Sequence, residues 1–367
     1  MFPFFWECSQ NVYFYILLAV LNKTVKMKSH QISIIDIAKE LGISKSTVSR
    51  ALSGHSSVKE KTRIAVLELA AKLDYQRNTL ALSLANKKTL LVGILVPEIM
   101  SSFFPSIIKG AEEILDAEKY KCIICHSNEN YEREVENVKL LLSQQVDGII
   151  ASHTKETRNF DHFKLVQRRG IPLVMFNRVT DLLDTPKVVV DDYEAAFNAV
   201  EHLIKKGRKR IAHLAGPDSL INSKLRLQGY LDALKKHKIP IDNDLIISYD
   251  LSLEKVKIYV QHFLTLSPPP DALFCMNDPT AIAAMRVIKQ NKLRIPKDIA
   301  IVGFSNDLSS ELVDPALTTV AQPTFDLGRE AARLVLKEIS NEGNDEGVKT
   351  NHKTVVLKTQ LLIREST

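Results

Sequence analysis

Residues 33–54 read SIIDIAKELGISKSTVSRALSG, and they constrain the fold more than any other stretch because they spell two short helices joined by a tight turn. Ser33 is an N-cap, and Asp36 three residues on completes a capping box. Ile34, Ile37, Ala38 and Leu41 recur at helical spacing and mark one apolar face. Gly42 supplies the turn. Ser44 then caps a second helix in which Val48 and Leu52 face inward. That leaves Lys45, Ser46, Thr47, Ser49 and Arg50 outward. A short helix with a basic, hydroxyl-bearing outer face suits the major groove of DNA. A helical hairpin with a merely solvated face is the other reading that spacing alone leaves open.

Charge separates the two. The chain is formally +6, and residues 27–88 alone hold eleven Lys/Arg against five Asp/Glu. The 279 residues that follow are nearly balanced. A positive head on a neutral body is the footprint of a small phosphate-neutralising module, not of a uniformly basic membrane-surface protein. The length of 367 residues calls for two or three domains, and 45% hydrophobic with 25% charged residues describes a globular chain. Four cysteines make no disulfide framework. Cys122 and Cys125 sit in a run that reads as a buried strand. Residues i and i+3 of a strand point to opposite faces, so their sulfurs do not meet.

Residues 1–27 stand outside these patterns. Phe2 to Leu21 are mostly apolar and aromatic, with Glu7 near the start and no positive charge ahead of the apolar run, as a signal peptide requires. A membrane anchor fits on length. The reading adopted is an N-terminal extension that is either disordered or a mis-called start, with Met27 as the true start and no membrane partner.

The motifs Asp36-Ile37-Ala38, Gly42-Ile43-Ser44 and Thr47-Val48-Ser49-Arg50-Ala51-Leu52 resemble the N-terminal signature of the LacI/GalR family of bacterial repressors. The likeness continues through Val58-Lys59-Glu60-Lys61-Thr62-Arg63, where a third helix begins, to Leu73-Asp74-Tyr75, and resumes at intervals across residues 31–367. It implies a helix-turn-helix DNA-binding domain over 28–75, with Ser44, Lys45, Ser46, Thr47, Ser49 and Arg50 at double-stranded, pseudo-palindromic operator DNA. Residues 76–89 read as a helix of barely two turns, capped by Asn78 and ended by Asn86, too short to be stable alone. In the resembling family this is the hinge helix, and Leu84 matches the leucine that wedges into the minor groove. Arg77 stands where the family usually has proline.

From residue 90 to 367 strands and helices alternate in two series, the second starting at Val188. Two runs of βα units imply two doubly wound parallel-sheet lobes. The resemblance adds a periplasmic-binding-protein-like core with three crossovers, near Val190, Gln322 and Thr359. Asn341–Lys353 reads as a mobile polar loop.

No nucleotide-binding glycine motif, zinc motif or ligand-spaced histidine set occurs. Gly303 to Asp307 begins like a nucleophile elbow, but Asp307 replaces the second glycine. No catalysis, cofactor or metal is therefore expected. Polar residues do gather at strand ends, where a doubly wound fold places its ligand crevice. They are Asn177 and Arg178, Asn277 and Asp278, and Ser305. Arg226 and, one turn before it, Asn222 add convergent donors. By resemblance these residues and Gln322 line an effector cleft walled by Phe103, Phe104 and Phe176. Ser305-Asn306 and Leu251 depart from the aspartate and the aromatic that many sugar-responsive members carry there.

The reading is a cytoplasmic, nucleoid-associated homodimeric repressor, not an enzyme, controlled by a carbohydrate-like small molecule. The alternative is an exported or membrane-tethered solute-binding protein, against which the basic head argues.

Overall fold

Three apolar stripes within residues 32–75 close on one another as a helical head. The computed structural model describes residues 32–75, 88–341 and 353–367, which fall into two compact units, 32–75 and 88–367. The extension 1–27 and the hinge residues Asn78 and Leu84 lie outside the described residues, as does most of the polar loop before Lys353.

The head is built from α1 (Ile34–Leu41), α2 (Lys45–Leu52) and α3 (Glu60–Lys72). The backbone N–H and hydroxyl of Ser33 both donate to Asp36 Oδ2, at 2.9 and 2.6 Å. Gly42 takes φ +64°, the left-handed conformation that lets the chain leave α1 and start α2 within three residues. Ser44 Oγ accepts from Thr47 N at 3.1 Å and caps α2. Ile37, Val48, Ala51, Val66, Leu69 and Ala70 form the small core, with Leu52 and Tyr75 packed half-buried against it.

The second unit begins with β1 (Leu91–Val96), α4 (Phe103–Ala117), β2 (Lys121–His126), α5 (Tyr131–Ser143), β3 (Gly148–Ala151), α6 (Asp161–Arg168), β4 (Leu173–Phe176) and β5 (Lys187–Val190). There the chain passes to a second lobe made of α7 (Asp192–Lys205), β6 (Ile211–Ala215), α8 (Ile221–Lys236), β7 (Ile246–Ser248), α9 (Leu253–Thr265), β8 (Ala272–Cys275), α10 (Asp278–Gln290), β9 (Ala300–Ser305), α11 (Ser309–Leu312) and β10 (Thr318–Ala321). It returns with α12 (Thr324–Asn341) and β11 (Thr354–Leu357), and crosses once more to β12 (Gln360–Leu362). The three crossings fall at 191, 322–323 and 358–359.

Lobe 1 has the strand order β11-β5-β4-β3-β1-β2 with every pair parallel. Lobe 2 has the order β12-β10-β9-β8-β6-β7, parallel except for β12 against β10. Both sheets are covered on both faces, which is why their central strands are continuous apolar runs. In lobe 1, α4 and α12 cover one face and α5 and α6 the other. In lobe 2, α9 and α10 face α7 and α8 across the sheet. Glycines set the closest helix approaches. A Cβ on Gly328 would lie 1.9 Å from Ile107 O, and one on Gly110 would lie 2.0 Å from Phe325 O.

Two sequence expectations change. The strand holding Cys122 and Cys125 is an edge strand, half-exposed, because β1 pairs with it on one side only. Its two thiols do part company: Cys122 joins the α4 face and Cys125 the α5 face. The sequence also did not mark α6, α11 or the strands β10 to β12. The strands and α11 have four residues or fewer, too short a stretch for periodicity to stand out, while α6, eight residues long like α1 and α2, lacks their capping side chain, with Phe160 at its N-cap.

Candidate functional site

The parallel strands of both lobes run their C-terminal ends toward a shared cleft of about 360 Å³. Loops following β1, β2, β3 and β4 supply one wall and loops following β6, β7, β8 and β9 the other. Of the residues assigned to this cleft from sequence, Phe103, Phe104, Asn177, Arg178, Asn222, Arg226, Asn277, Ser305 and Gln322 line it.

Phe176 and Asp278 do not. Phe176 is fully buried in the lobe 1 core, its ring edge-on to Phe104 at 6.2 Å, so it backs the wall. It is the last residue of β4, and the pleat turns it into the sheet's apolar layer. Asp278 is also fully buried. Its Oδ2 accepts from Asp307 N at 2.7 Å and Ser310 Oγ at 2.8 Å, and its Oδ1 from Thr319 Oγ1 at 2.6 Å. It brackets the 305–310 loop to β10. Burial pushes its carboxyl above the ordinary range, against those hydrogen bonds. Gly303 leaves the room: a Cβ there would lie 2.1 Å from Asp278 Oδ1.

Both arginines of the cleft are charge-paired. Arg226 donates from Nε at 2.8 Å and Nη2 at 2.7 Å to Asp192 Oδ1, and from Nη1 at 2.6 Å to Met276 O. Its guanidinium carbon sits 3.5 Å from the centre of the Phe304 ring. Arg178 forms a fork with Glu129, Nη1 to Oε2 and Nη2 to Oε1, both at 2.8 Å. Burial pushes the Glu129 carboxyl up, but Arg178 and the Lys155 N–H outweigh it and hold it below its ordinary value. The cleft therefore presents two guanidiniums whose charge is already answered, beside Lys155, whose ammonium bonds a backbone carbonyl.

Amides and hydroxyls supply the rest. Asn277 Oδ1 accepts from Thr280 N at 3.0 Å and caps α10, leaving its NH2 toward the cleft. Asn222 Oδ1 accepts from Ser223 N at 3.0 Å. Gln322 Nε2 donates to Ser305 Oγ at 3.0 Å, while Gln322 Oε1 is buried with no partner among the described residues. Leu220, Leu251, Leu253, Met276 and Pro279 join Phe103 and Phe104 as apolar lining.

Several lining residues were not picked out from sequence: Glu98, Ser101, Asn128, Glu129, Lys155 and Asp307. They lie on loops, where no periodicity marks them. One local signal was available: Asn128 before Glu129 and Asn130, in a segment that takes left-handed backbone at both 128 and 129 (φ 51° and 57°). Asn177, Leu251, Ser305 and Asn306 are left-handed too, so unusual backbone gathers at this cleft.

The lobes touch at its two rims. Asp307 Oδ2 accepts from Ser102 N at 3.0 Å and Ser102 Oγ at 2.8 Å. On the other rim Lys155 Nζ donates to Asp250 O at 2.6 Å, and Ser219 Oγ donates to Lys155 O at 2.7 Å.

In the head, α2 exposes Lys45, Ser46 and Arg50 and half-buries Thr47 and Ser49. Neither Lys45 nor Arg50 is in an ion pair among the described residues. The Ser44 hydroxyl is engaged by Ser46 Oγ and Thr47 Oγ1, each at 2.8 Å, as well as by Thr47 N, so its first task is the cap. Among the described residues no group of His, Cys, Asp and Glu could hold a metal ion, and no helix is long and apolar enough to cross a membrane.

Comparison with known proteins finds both parts. Residues 33–78 match the family described as bacterial regulatory proteins, lacI family, and residues 89–361 match periplasmic binding proteins and sugar binding domain of LacI family. Catabolite control protein A of Priestia megaterium is 33% identical over 337 residues, covering 92% of this chain and 99% of the relative. The HTH-type transcriptional repressor CytR of Escherichia coli K12 is 32% identical over 332 residues, covering 90% and 95%. Among solved structures, the lac repressor dimer bound to operator and the anti-inducer ONPF superposes with a TM-score of 0.79 at 26% identity, covering 91% of this chain and 98% of that one. The complex of the transcriptional regulator CelR with cellobiose gives 0.70 at 27%, covering 92% and 100%.

Proposed function

The chain belongs to the LacI family of bacterial regulatory proteins and is a DNA-binding transcriptional regulator, and we propose that a neutral, hydroxyl-rich small molecule in the cleft controls its hold on a pseudo-palindromic operator. The observation that carries the ligand class is the pairing of Arg178 with Glu129 and of Arg226 with Asp192. With both guanidinium charges answered, the cleft offers amide and hydroxyl donors and the orphaned acceptor Gln322 Oε1 between apolar walls. Hydroxyls of a sugar or a nucleoside ribose match such a set, each able to donate and accept. An anion would meet carboxylates already in place.

The role of the protein is repression by a cytoplasmic, nucleoid-associated homodimer. An exposed apolar face supports the second copy: Leu253, 51% exposed, lines a groove between α9 and α10, and Leu308 and Leu312, 71% and 78% exposed, flank Ser309, which lines it too. On DNA, Lys45, Ser46 and Arg50 reach base edges and Thr47 and Ser49 reach the backbone or bases. Asn78 and Leu84 complete the contact at the hinge. Closure of the lobes on the effector couples the two sites, so each ligand changes the other's affinity by the same factor.

The test has two arms. Genomic footprinting gives the bound sites, and on such a site Arg50→Ala loses about 1–3 kcal/mol of specific binding while random-sequence DNA is held nearly as before. Equal loss on both DNAs overturns base reading. A thermal-shift panel of neutral saccharides, nucleosides and their phosphate esters then addresses the cleft. Stabilisation by the phosphate esters alone overturns the neutral-ligand reading.

A further inference from the structure

Glu134 lies outside the cleft, on α5, and is fully buried. Its carboxylate accepts from three donors: Thr154 N at 2.6 Å, Thr157 Oγ1 at 2.8 Å and His162 Nε2 at 2.9 Å. Because an ionised carboxylate only accepts, the His162 proton is assigned to Nε2. His162 Nδ1 is buried with no partner among the described residues. A buried carboxylate is costly unless its lone pairs are filled. Here they are filled from the two ends of one tight loop, 154 and 157, and from the first turn of α6.

That loop also carries one rim of the cleft. While Thr154 and Thr157 are tied inward, Lys155 and Arg158 point out. Lys155 N donates to Glu129 Oε2 at 3.0 Å, which fixes its backbone. Its side chain reaches Asp250 O, its carbonyl accepts from Ser219 Oγ, and Arg158 Nη2 lies 3.8 Å from Asp218 Oδ1. Asp218, Ser219 and Asp250 all belong to lobe 2. One buried acid of lobe 1 thus stands behind every polar contact this loop makes with lobe 2.

We infer that Glu134, with His162, is a positioning residue for lobe closure: it sets the 153–158 loop as a strap that engages lobe 2 at Ser219 and Asp250. The role deepens the effector-controlled reading above, but it is a property of the protein alone.

Hydrogen exchange read by mass spectrometry on the full chain, with no small molecule or DNA added, tests it independently of that reading. The segments followed are 153–158, 217–221 and 249–252, with β1 and β3 as references. In Glu134→Leu, exchange rises by about tenfold or more in the loop and in both lobe 2 segments, while β1 and β3 stay protected. Glu134→Gln keeps an acceptor for Thr154 N and restores most of the protection. The pair Lys155→Met with Ser219→Ala releases the lobe 2 segments but leaves the Thr154 amide slow. Should Glu134→Leu fail to fold, Thr157→Val gives the same pattern at smaller amplitude. If the loop loosens while 217–221 and 249–252 do not change, or if β1 and β3 open as well, Glu134 merely stabilises lobe 1 and the inference is overturned.

Discussion

Asp192 and Arg226 meet at 2.7 Å with both side chains almost wholly buried, joining the first two helices of lobe 2 beneath the cleft. The guanidinium is held from a second side by Met276 O and sits over the Phe304 ring. Arg226 is therefore as much a structural brace as a wall of the cleft. Removing one partner of a buried pair leaves the other uncompensated, at a cost of about 3–5 kcal/mol. Arg226→Ala should lower the urea midpoint accordingly, and the double variant Asp192→Leu with Arg226→Met should recover most of the loss. A single-variant loss below about 1 kcal/mol would show that the brace is unimportant.

Asn277 divides its amide between two duties, and substitutions separate them. Asn277→Asp keeps the oxygen that caps α10 but replaces the donor facing the cleft. Stability should stay within about 0.5 kcal/mol of the parent while effector affinity falls. Asn277→Ala should lose both, with about 1 kcal/mol of stability gone. Thermal unfolding alongside calorimetry with whichever saccharide or nucleoside the panel identifies would reveal an equal response in the two variants, contrary to this division.

Gly328 and Gly110 let α12 and α4 cross with backbone against backbone. Neither Ile107 O nor Phe325 O can give way as a flexible side-chain tip would. Gly328→Ala should force the helices apart and cost about 3 kcal/mol, the upper end for overpacking. Gly170→Ala, at an exposed loop glycine with φ +72° and open space around it, is a control for strain without crowding. Equal losses in the two would assign the Gly328 effect to backbone conformation.

His213 sits in a fully buried stack between Tyr230 and Phe274, donating through Nδ1 to Phe274 O while Nε2 has no partner among the described residues. Burial pushes its pKa down to about 4. A histidine that resists protonation only when folded contributes stability that is present above its unfolded value of about 6.5 and is lost as pH falls from there toward 4. The change over that window is about 3 kcal/mol. His213→Phe keeps a ring in the stack and should flatten this part of the stability–pH curve, measured by denaturant titration at successive pH values. A slope identical to the parent's would place the acid sensitivity elsewhere.

The sequence exposed the parts of this molecule that repeat or cap. The head was legible because Ser33, Asp36, Gly42 and Ser44 are local signals at fixed offsets. The lobes were legible because doubly covered strands such as Leu91–Val96 are uniformly apolar. At the cleft, strand ends located Asn177, Asn277 and Ser305, but strand ends do not say which way a side chain points. Asp278 and Phe176 turned inward for that reason. Glu129, Lys155 and Asp192 escaped because their significance lies in partners 49, 95 and 34 residues away along the chain. Pairings of that kind leave no spacing to read.

The threefold passage between lobes has a consequence for how the protein is made. Residues 354–357 and 360–362 close one edge of each sheet, and Ser366, fully buried, bonds to Ile301 and Ala316 in the second lobe. During synthesis neither lobe can acquire its full set of strands until these residues have left the ribosome. The head has its hydrophobic core within residues 32–75 and can fold long before. A nascent chain halted before residue 354 thus carries a finished helical head attached to an unfinished cleft-bearing unit.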